Sequence, residues 1–160
     1  MQPLLSAADV AFGRALAEAH FEDTCEITKP GVGKGPFNEE TGQYDPPPRI
    51  VIYGPGAVDE NGNPVTDDDI LAGRCRIQVR SDINSNAVEA VVGEHEWTYR
   101  TGTLQLPING TAHIKPDYIA RHLTCPYDSS LVGRLYNMQA ETKGKTHATH
   151  RRYRIREVLG

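Results

Sequence analysis

Short stretches in which apolar and polar residues alternate, or in which β-branched and aromatic residues prevail, recur after residue 22 and above all from residue 73 onward. An alternation with a period of two is typical of strands with one buried face, because successive side chains point to opposite sides of a sheet. Turn-forming glycine, proline and asparagine separate the stretches. They predict strands at 24–28, 49–53, 75–79, 97–100, 103–108, 118–124, 135–140 and 153–158.

A helical pattern precedes the first strand. Residues 7–22 contain six alanines, the residue with the highest helix propensity, together with four larger apolar residues at helical spacing. These four are Val10, Phe12, Leu16 and Phe21. Ser6 is a favourable N-cap, and Asp9 places a negative charge near the positive end of the helix dipole. The sequence therefore predicts an amphipathic helix over residues 7–22.

Two segments rich in glycine and proline, 30–48 and 54–72, lie on either side of strand 49–53. Such a composition disfavours regular structure. Loops longer than about 12–15 residues are uncommon in compact domains and are usually functional or disordered. We therefore expect a single domain over residues 1–160 with a mainly β fold: a small antiparallel β-barrel or sandwich with an N-terminal α-helix and two long irregular loops.

Charge is distributed unequally along the chain. Residues 1–72 carry 4 Lys and Arg against 13 Asp and Glu, whereas residues 73–160 carry 13 against 8. This argues against a general nucleic-acid-binding protein, which presents a dominant positive surface. It is compatible with contacts between copies in which an acidic surface meets a basic one, and equally with charge that is merely solvated.

Neither a targeting segment nor the cysteine spacing indicates a particular activity. The sequence has no apolar stretch of the length that spans a membrane and no secretory signal, so we expect a protein without a membrane partner. Cys25, Cys75 and Cys125 form no C-x-x-C pair, which argues against a zinc site or a redox pair. They are interpreted as small buried apolar residues.

No catalytic, cofactor or metal site is predicted. Gly144-Lys145-Thr146 is similar to the end of a phosphate-binding loop. That pattern also requires a glycine five residues before Gly144, where this chain has Gln139. Asp67–Asp69 lack the spaced oxygen ligands of a calcium loop. The histidines follow no metal-ligand spacing, and no nucleophile can be paired with a base.

One basic segment stands out. Residues 143–156 contain no acidic residue and six basic ones: Lys143, Lys145, Arg151, Arg152, Arg154 and Arg156. In a strand, the arginines at 152, 154 and 156 share one face, and Tyr153 and Ile155 point to the other. Such a face can bind phosphate or an acidic protein surface, or can simply be solvated.

The order of several segments resembles that of a known family. These segments are GRALAE at 13–18, DTCEITKPG at 23–31, YGP at 53–55, GRCRIQ at 73–78, LVGRLY at 131–136 and KTHATHRR at 145–152. They are similar to the small head-to-tail joining proteins of actinobacterial tailed phages, the connector or head-closure (stopper) group. The similarity extends from about residue 12 to residue 158. The chain differs from short members of the group by an acidic insertion at 59–69.

The resemblance implies a structural protein of the virion neck, assembled in the host cytoplasm, without catalytic activity or cofactor. It implies a ring of six or twelve copies between the portal or adaptor protein and the tail terminator or tail tube, with genomic DNA passing through its channel. An acidic loop repels DNA. In proteins of this group a long loop can close the channel, which makes loop 30–48 or loop 54–72 the candidate here. The candidate channel or gating residues, all in the acidic second loop, are Asp59, Glu60, Asp67, Asp68 and Asp69. Candidate interface residues are Phe12, Leu16, Lys143, Lys145, Arg151, Arg152, Arg154 and Arg156.

Two alternatives remain open at this point. A tail-terminator or tail-completion protein would lie one ring lower and bind the tail tube. A nucleic-acid-binding β-barrel would use residues 143–156 as its basic surface, but such proteins interleave aromatic residues for base stacking, and only Tyr153 is present there.

Overall fold

Strands dominate the computed structural model, which describes residues 6–80, 90–92, 95–97, 100–142 and 148–158. Two helices are present, α1 at Ala7–Glu18 and α2 at Asp68–Ala72. The strands are β1 at Asp23–Lys29, β2 at Phe37–Asn38, β3 at Gln43–Tyr44, β4 at Ile50–Tyr53, β5 at Arg74–Arg80, β6 at Ala90–Val92, β7 at His95–Trp97, β8 at Thr101–Leu106, β9 at Ile119–Thr124, β10 at Leu135–Glu141 and β11 at Arg151–Glu157. A 3₁₀ turn occupies Ser129–Leu131.

Six of these strands form a closed antiparallel barrel. Its order is β1, β5, β8, β11, β10 and β9, and the pairing of β9 with β1 closes it. β1 pairs with β5 only through Asp23 and Thr24, and its other end pairs with β4. The prediction of a mainly β fold with an N-terminal helix is confirmed, and the fold is a barrel.

The barrel interior follows from the alternation of side chains along each strand. Tyr53, Tyr136 and Tyr153 are among the largest fully buried side chains. Tyr153 Oη donates to the carbonyl oxygen of Ile114 at 3.0 Å, and Tyr53 Oη donates to that of Arg74 at 2.7 Å. The three tyrosines pack with fully buried aliphatic residues, which include Ile27, Leu104, Leu106, Met138 and Ile155.

The cysteines differ in burial. All three are free thiols, and Cys25 and Cys75 are fully buried, as predicted. Cys125 is only partly buried, so the prediction of a third core cysteine is wrong. It follows directly after β9, where the chain has left the barrel wall.

The helix is shorter than predicted. It begins as expected, because Ser6 Oγ accepts from the amide of Asp9 and the Asp9 carboxylate accepts from the amide of Ser6. It ends at Glu18 rather than at residue 22. Phe21 is buried and β1 begins two residues later, so the chain leaves the helix in time to place Phe21 against the barrel.

The two glycine- and proline-rich segments contain short regular elements that the sequence did not predict. β2 and β3 form a hairpin within 30–48, and α2 lies at the end of 54–72. The hairpin is local: its turn is held by the Asn38 side chain, and the rings of Phe37 and Tyr44 meet edge to face. The rest of both segments lacks helix and strand. Residues 98–99 of the predicted strand 97–100 lie outside the described residues.

A close backbone approach fixes the start of the second segment. Gly54 has φ = +98°, and a Cβ there would lie 2.6 Å from the carbonyl oxygen of Cys25 and 3.0 Å from Cα of Glu26. Gly56 has a similar φ of +79°, but a Cβ there would meet nothing within 4 Å. The two glycines therefore share a conformation and differ in the space around them.

We expect Gly54→Ala to destabilise the fold more than Gly56→Ala. Both changes place a side chain at positive φ, which costs about 1–2 kcal/mol. Only Gly54→Ala also forces β1 away from the loop, which adds about 1–3 kcal/mol of overpacking. Urea denaturation measures both free energies of unfolding. Equal losses for the two variants would contradict the close approach.

Candidate functional site

The last strand carries a basic outer surface. In β11, Tyr153 and Ile155 are fully buried, Arg152 and Arg154 are exposed, and Arg156 is half-buried. The predicted alternation of arginines against Tyr153 and Ile155 is therefore confirmed. One side of the strand contributes to the core, and Arg152 and Arg154 on the other side are exposed to solvent.

The register extends this surface across three strands. Arg152 pairs with Gln105 of β8, and Gln105 pairs in turn with Arg76 of β5, which is also exposed. Between the two arginines, Gln105 donates to Gln78 Oε1 at 3.2 Å, so neutral amides separate the charges. We call Arg76, Arg152, Arg154 and Arg156 the arginine face. Arg76 is remote in sequence from β11, and only the strand register reveals that it belongs here.

The other basic candidates lie elsewhere. Arg151 is half-buried, and its guanidinium donates to Glu141 Oε1 at 3.0 Å across the β10–β11 pair. Its charge is thus already paired within the barrel. Lys143 and Lys145 lie outside the described residues, so their predicted role stays a prediction.

His150 lies next to the arginine face. Arg152 Nη2 is 3.0 Å from His150 Nε2, and Thr149 Oγ1 is 2.8 Å from His150 Nδ1. Arginine can only donate, so Nε2 accepts and the proton lies on Nδ1, which donates to Thr149. Burial, followed by the positive charges of Arg152 and Arg76, lowers the pKa of His150 below its ordinary value of 6.5.

Helix α1 is attached to the barrel beside the same region but leaves an apolar surface uncovered. Arg14 Nε donates to the carbonyl oxygen of Ala148 at 3.3 Å, and Gly13 lies close to Thr149. None of the helix residues is buried, and Phe12 and Leu16 are 72% and 56% exposed. These two residues are four apart, so they lie on the same side of the helix. We call Phe12, Leu16 and the exposed alanines beside them the helix face.

Asp59, the first acidic candidate, shapes a tight turn. Its carboxylate accepts from the backbone amides of Asn61 and Asn63 at 2.8 and 2.9 Å. Hydrogen bonds, that from the Asn63 amide first among them, lower the pKa of Asp59 below its ordinary value. Asp59 and Glu60 also line a cavity of about 490 Å³, together with Lys29.

The three consecutive acidic candidates begin α2. The Asp67 side chain accepts from the amide of Asp69 at 2.9 Å, and Asp68 and Asp69 occupy the first turn. Negative charge at this end of a helix is favourable. Asp59 and Asp67 therefore have local structural roles, and their predicted part in gating a channel stays a prediction.

The structure also brings together three side chains that could hold a metal ion and that no sequence pattern indicated. One ligand atom each of Asp23, His122 and Cys125 lies within 4.8 Å of the others. The only local signal is the spacing of His122 and Cys125, because Asp23 comes from the opposite end of the chain. Burial alone would raise the pKa of Asp23, but the polar groups of His122, Ile77 and Cys125 that face it outweigh burial and hold its pKa below the ordinary value.

Comparisons with known proteins identify a family without an assigned activity. A family model described as "Family of unknown function (DUF6093)" matches residues 13–156, so the chain belongs to this family. No curated protein and no solved structure matches the chain. Among the described residues, neither helix has the length and apolar character needed to cross a membrane.

We expect Arg152→Gln to raise the pKa of His150 towards 6.5, because it removes a positive charge that disfavours the imidazolium. Titration of the histidine ring C–H signals by NMR measures this pKa. Arg154→Gln is the control, since Arg154 lies on the same face but does not contact His150. Equal pKa shifts in the two variants would refute the effect assigned to Arg152.

The lowered pKa of His150 in the folded state also makes stability depend on pH. As the pH falls below about 6.5, the unfolded chain takes up the proton first, so the free energy of unfolding of the wild-type protein decreases.

Proposed function

We propose that this member of the DUF6093 family is a structural subunit of the phage neck, which forms a closed ring of copies between the DNA-filled head and the tail. In this role it is a head-closure connector and not an enzyme. Its partners are the portal or adaptor protein above, the tail terminator or tail tube below, and the genomic DNA in the channel. The resemblance of residues 12–158 to head-to-tail joining proteins supports the proposal.

The helix face is the observation that carries this proposal. A subunit that functions alone gains nothing from leaving Phe12 and Leu16 exposed, since burial of one such side chain contributes about 1.5–3 kcal/mol. A ring repeats one heterologous interface, in which a surface of each copy covers a different surface of the next. In the proposed ring, the helix face is covered by the neighbouring copy.

Charge supports the same arrangement. The arginine face meets acidic residues of the adjacent copy, and the first 72 residues, with 13 Asp and Glu, supply them. Arginines at an interface leave the channel free of strong phosphate contacts, which would otherwise hold the DNA in place. The acidic residues at 59–60 and 67–69 are the channel-lining candidates in this arrangement.

A nucleic-acid-binding barrel is the second candidate function, and the arginine face is the observation in its favour. Non-specific binding of single strands combines basic residues with exposed aromatic rings on which bases stack. Tyr153, the aromatic residue of β11, is fully buried and donates to Ile114 inside the barrel. The arginine face therefore lacks the stacking ring expected from β11, which favours the ring proposal.

Electron cryomicroscopy of the particle that contains this chain tests the location directly. We expect density for a closed ring of barrels between portal and tail, with α1 at the contact between neighbouring copies. Density for a ring directly on the tail tube would instead indicate that the protein is a tail terminator. Absence from the particle would overturn both and favour the nucleic-acid candidate.

We expect Phe12→Ser with Leu16→Ser to block the joining of heads and tails while leaving the isolated fold intact. Both side chains are already exposed in the subunit, so the loss falls on the interface. Counting tailed particles by negative-stain microscopy after complementation measures joining, and circular dichroism checks folding. Val32→Ser, at a loop residue 89% exposed, is the control. Normal yields of tailed particles from the helix variant would refute this role of α1.

We expect Arg152→Glu with Arg154→Glu to reduce the yield of joined particles strongly, because like charges then oppose each other across the interface. The control is Lys34→Glu with Lys115→Glu, which changes the net charge equally at residues away from the arginine face. The same particle count measures both. Equal losses in the two variants would show that net charge, and not the arginine face, controls assembly.

A further inference from the structure

The barrel wall is incomplete beside the first residues of β1. Because β1 pairs with β5 only at Asp23 and Thr24, the next part of β5 has no neighbouring strand on this side. The backbone N–H of Ile77 donates instead to Asp23 Oδ2 at 3.1 Å. The carboxylate thus takes the place of a strand carbonyl, and its second oxygen, Oδ1, is left for another partner.

The other oxygen of Asp23 faces a histidine that lacks hydrogen bonds. His122 lies opposite Cys25 in the β1–β9 pair and is fully buried. Within the described residues, neither its Nδ1 nor its Nε2 has a hydrogen-bond partner. Buried polar atoms nearly always have one, because losing water without replacement is costly. A buried imidazole of this kind is an unused ligand.

The distances suit a metal ion better than a hydrogen bond. His122 Nε2 is 3.7 Å from Asp23 Oδ1, which is too far for a hydrogen bond. Ligand atoms around a tetrahedral zinc ion, with bonds of about 2.0–2.3 Å, lie roughly 3.3–3.6 Å apart. Cys125 Sγ completes a triangle whose sides are all within 4.8 Å.

The group of three ligand atoms borders a cavity on one side. Asp23 and Cys125 line a cavity of about 420 Å³ whose wall also includes His20, Glu22 and Asp128. Three protein ligands and one open position are typical of zinc sites that bind water or another group in the fourth position. The mixture of thiolate, imidazole and carboxylate favours zinc and similar transition metals over Mg²⁺ or Ca²⁺, which prefer oxygen ligands alone.

We propose that Asp23, His122 and Cys125 bind one divalent transition-metal ion of the zinc type, with the fourth coordination position open to this cavity. The ion gives one nitrogen of the buried imidazole a partner and joins the segment after β9 to the start of β1. It also fixes the Asp23 carboxylate, whose other oxygen accepts from Ile77 at the gap beside β5. This inference does not depend on the neck function, since the site lies within one subunit.

A catalytic relay of the same three residue types requires a different arrangement. In a relay, the thiol and the carboxylate contact different nitrogens of the imidazole, so the ring lies between them. Here one ligand atom each of His122, Cys125 and Asp23 lies within 4.8 Å of the other two. Convergence on one point is the geometry of metal ligands.

The test is a titration of the untagged full-length protein with Co²⁺ and then Zn²⁺, in a reductant that contains no thiol. We expect one equivalent of Co²⁺ to bind with a thiolate-to-cobalt charge-transfer band in the near ultraviolet and with the visible bands of tetrahedral cobalt. Zn²⁺ should displace it and raise the melting temperature, because an ion that binds only the folded state stabilises it.

Cys125→Ser is the decisive variant, because Cys125 is partly buried and the change is nearly isosteric. It should abolish the charge-transfer band and weaken binding by at least about tenfold, since even changes around the ligands of a metal cost about that much. Asp23→Asn retains an acceptor for the Ile77 amide and should also weaken binding. His113→Asn is the matched control and should leave binding unchanged, because this histidine contacts the Ile52 carbonyl and lies outside the cavity beside Cys125.

Two results would overturn the proposal. One is the absence of a stoichiometric metal complex in the wild-type protein, with no rise in melting temperature on addition of Zn²⁺. The other is equal affinity and equal spectra for wild type and Cys125→Ser, which would show adventitious surface binding only. Circular dichroism establishes that each variant is folded, and neither result bears on the neck function.

Discussion

Closure of the barrel through β1 is the constraint on which the rest of the structure depends. β1 pairs with β9 along five residues, which closes the wall, and divides its other edge between β5 and β4. Closure pairs most strand edges of the barrel and fixes which side of each strand faces the interior. It also requires the loop at Gly54 to approach the Cys25 carbonyl, and it leaves a gap beside β5 that the Asp23 carboxylate fills. The stability of the fold and its unusual polar cluster therefore have the same origin.

Since the interior of a small barrel is filled by side chains, contacts with other macromolecules are made by the outer surface of the barrel and by the helices and loops attached to it. Tyr136 and Tyr153 occupy space that a larger barrel would offer to a ligand. The outer faces of β5 and β11 carry the arginines on either side of Gln105 of β8, in an arrangement fixed by the register, and α1 is held beside them through Arg14. Charged and apolar surfaces are thereby brought together at one side of the molecule. Such a combination suits a subunit that must recognise a neighbouring protein.

The sequence predicted those parts of the fold and of the candidate site that depend on local pattern. The alternation of β11 placed Tyr153 and Ile155 inside and Arg152 and Arg154 outside, and Ser6 with Asp9 marked the start of the helix. The end of the helix was not predictable, because the burial of Phe21 depends on the barrel and not on helix propensity. Arg76 was missed for a similar reason: 76 residues separate it from Arg152, and only strand register makes them neighbours. The short β2–β3 hairpin and α2 depend on single polar side chains, Asn38 and Asp67, whose effect is hidden by the surrounding glycines and prolines.

The cluster of Asp23, His122 and Cys125 shows most clearly why cysteine spacing does not reveal every group of side chains that could hold a metal ion. A C-x-x-C spacing indicates only those metal sites whose ligands lie in one local segment of the chain. Because β9 pairs with β1 to close the barrel, Asp23 and His122 face each other although they are 99 positions apart in sequence. The three cysteines differ in burial. Cys25 and Cys75 are enclosed in the core, whereas Cys125 borders a cavity. A thiol that solvent and ions can reach, beside an imidazole with no partner among the described residues, is a chemical arrangement that only closure of the barrel creates.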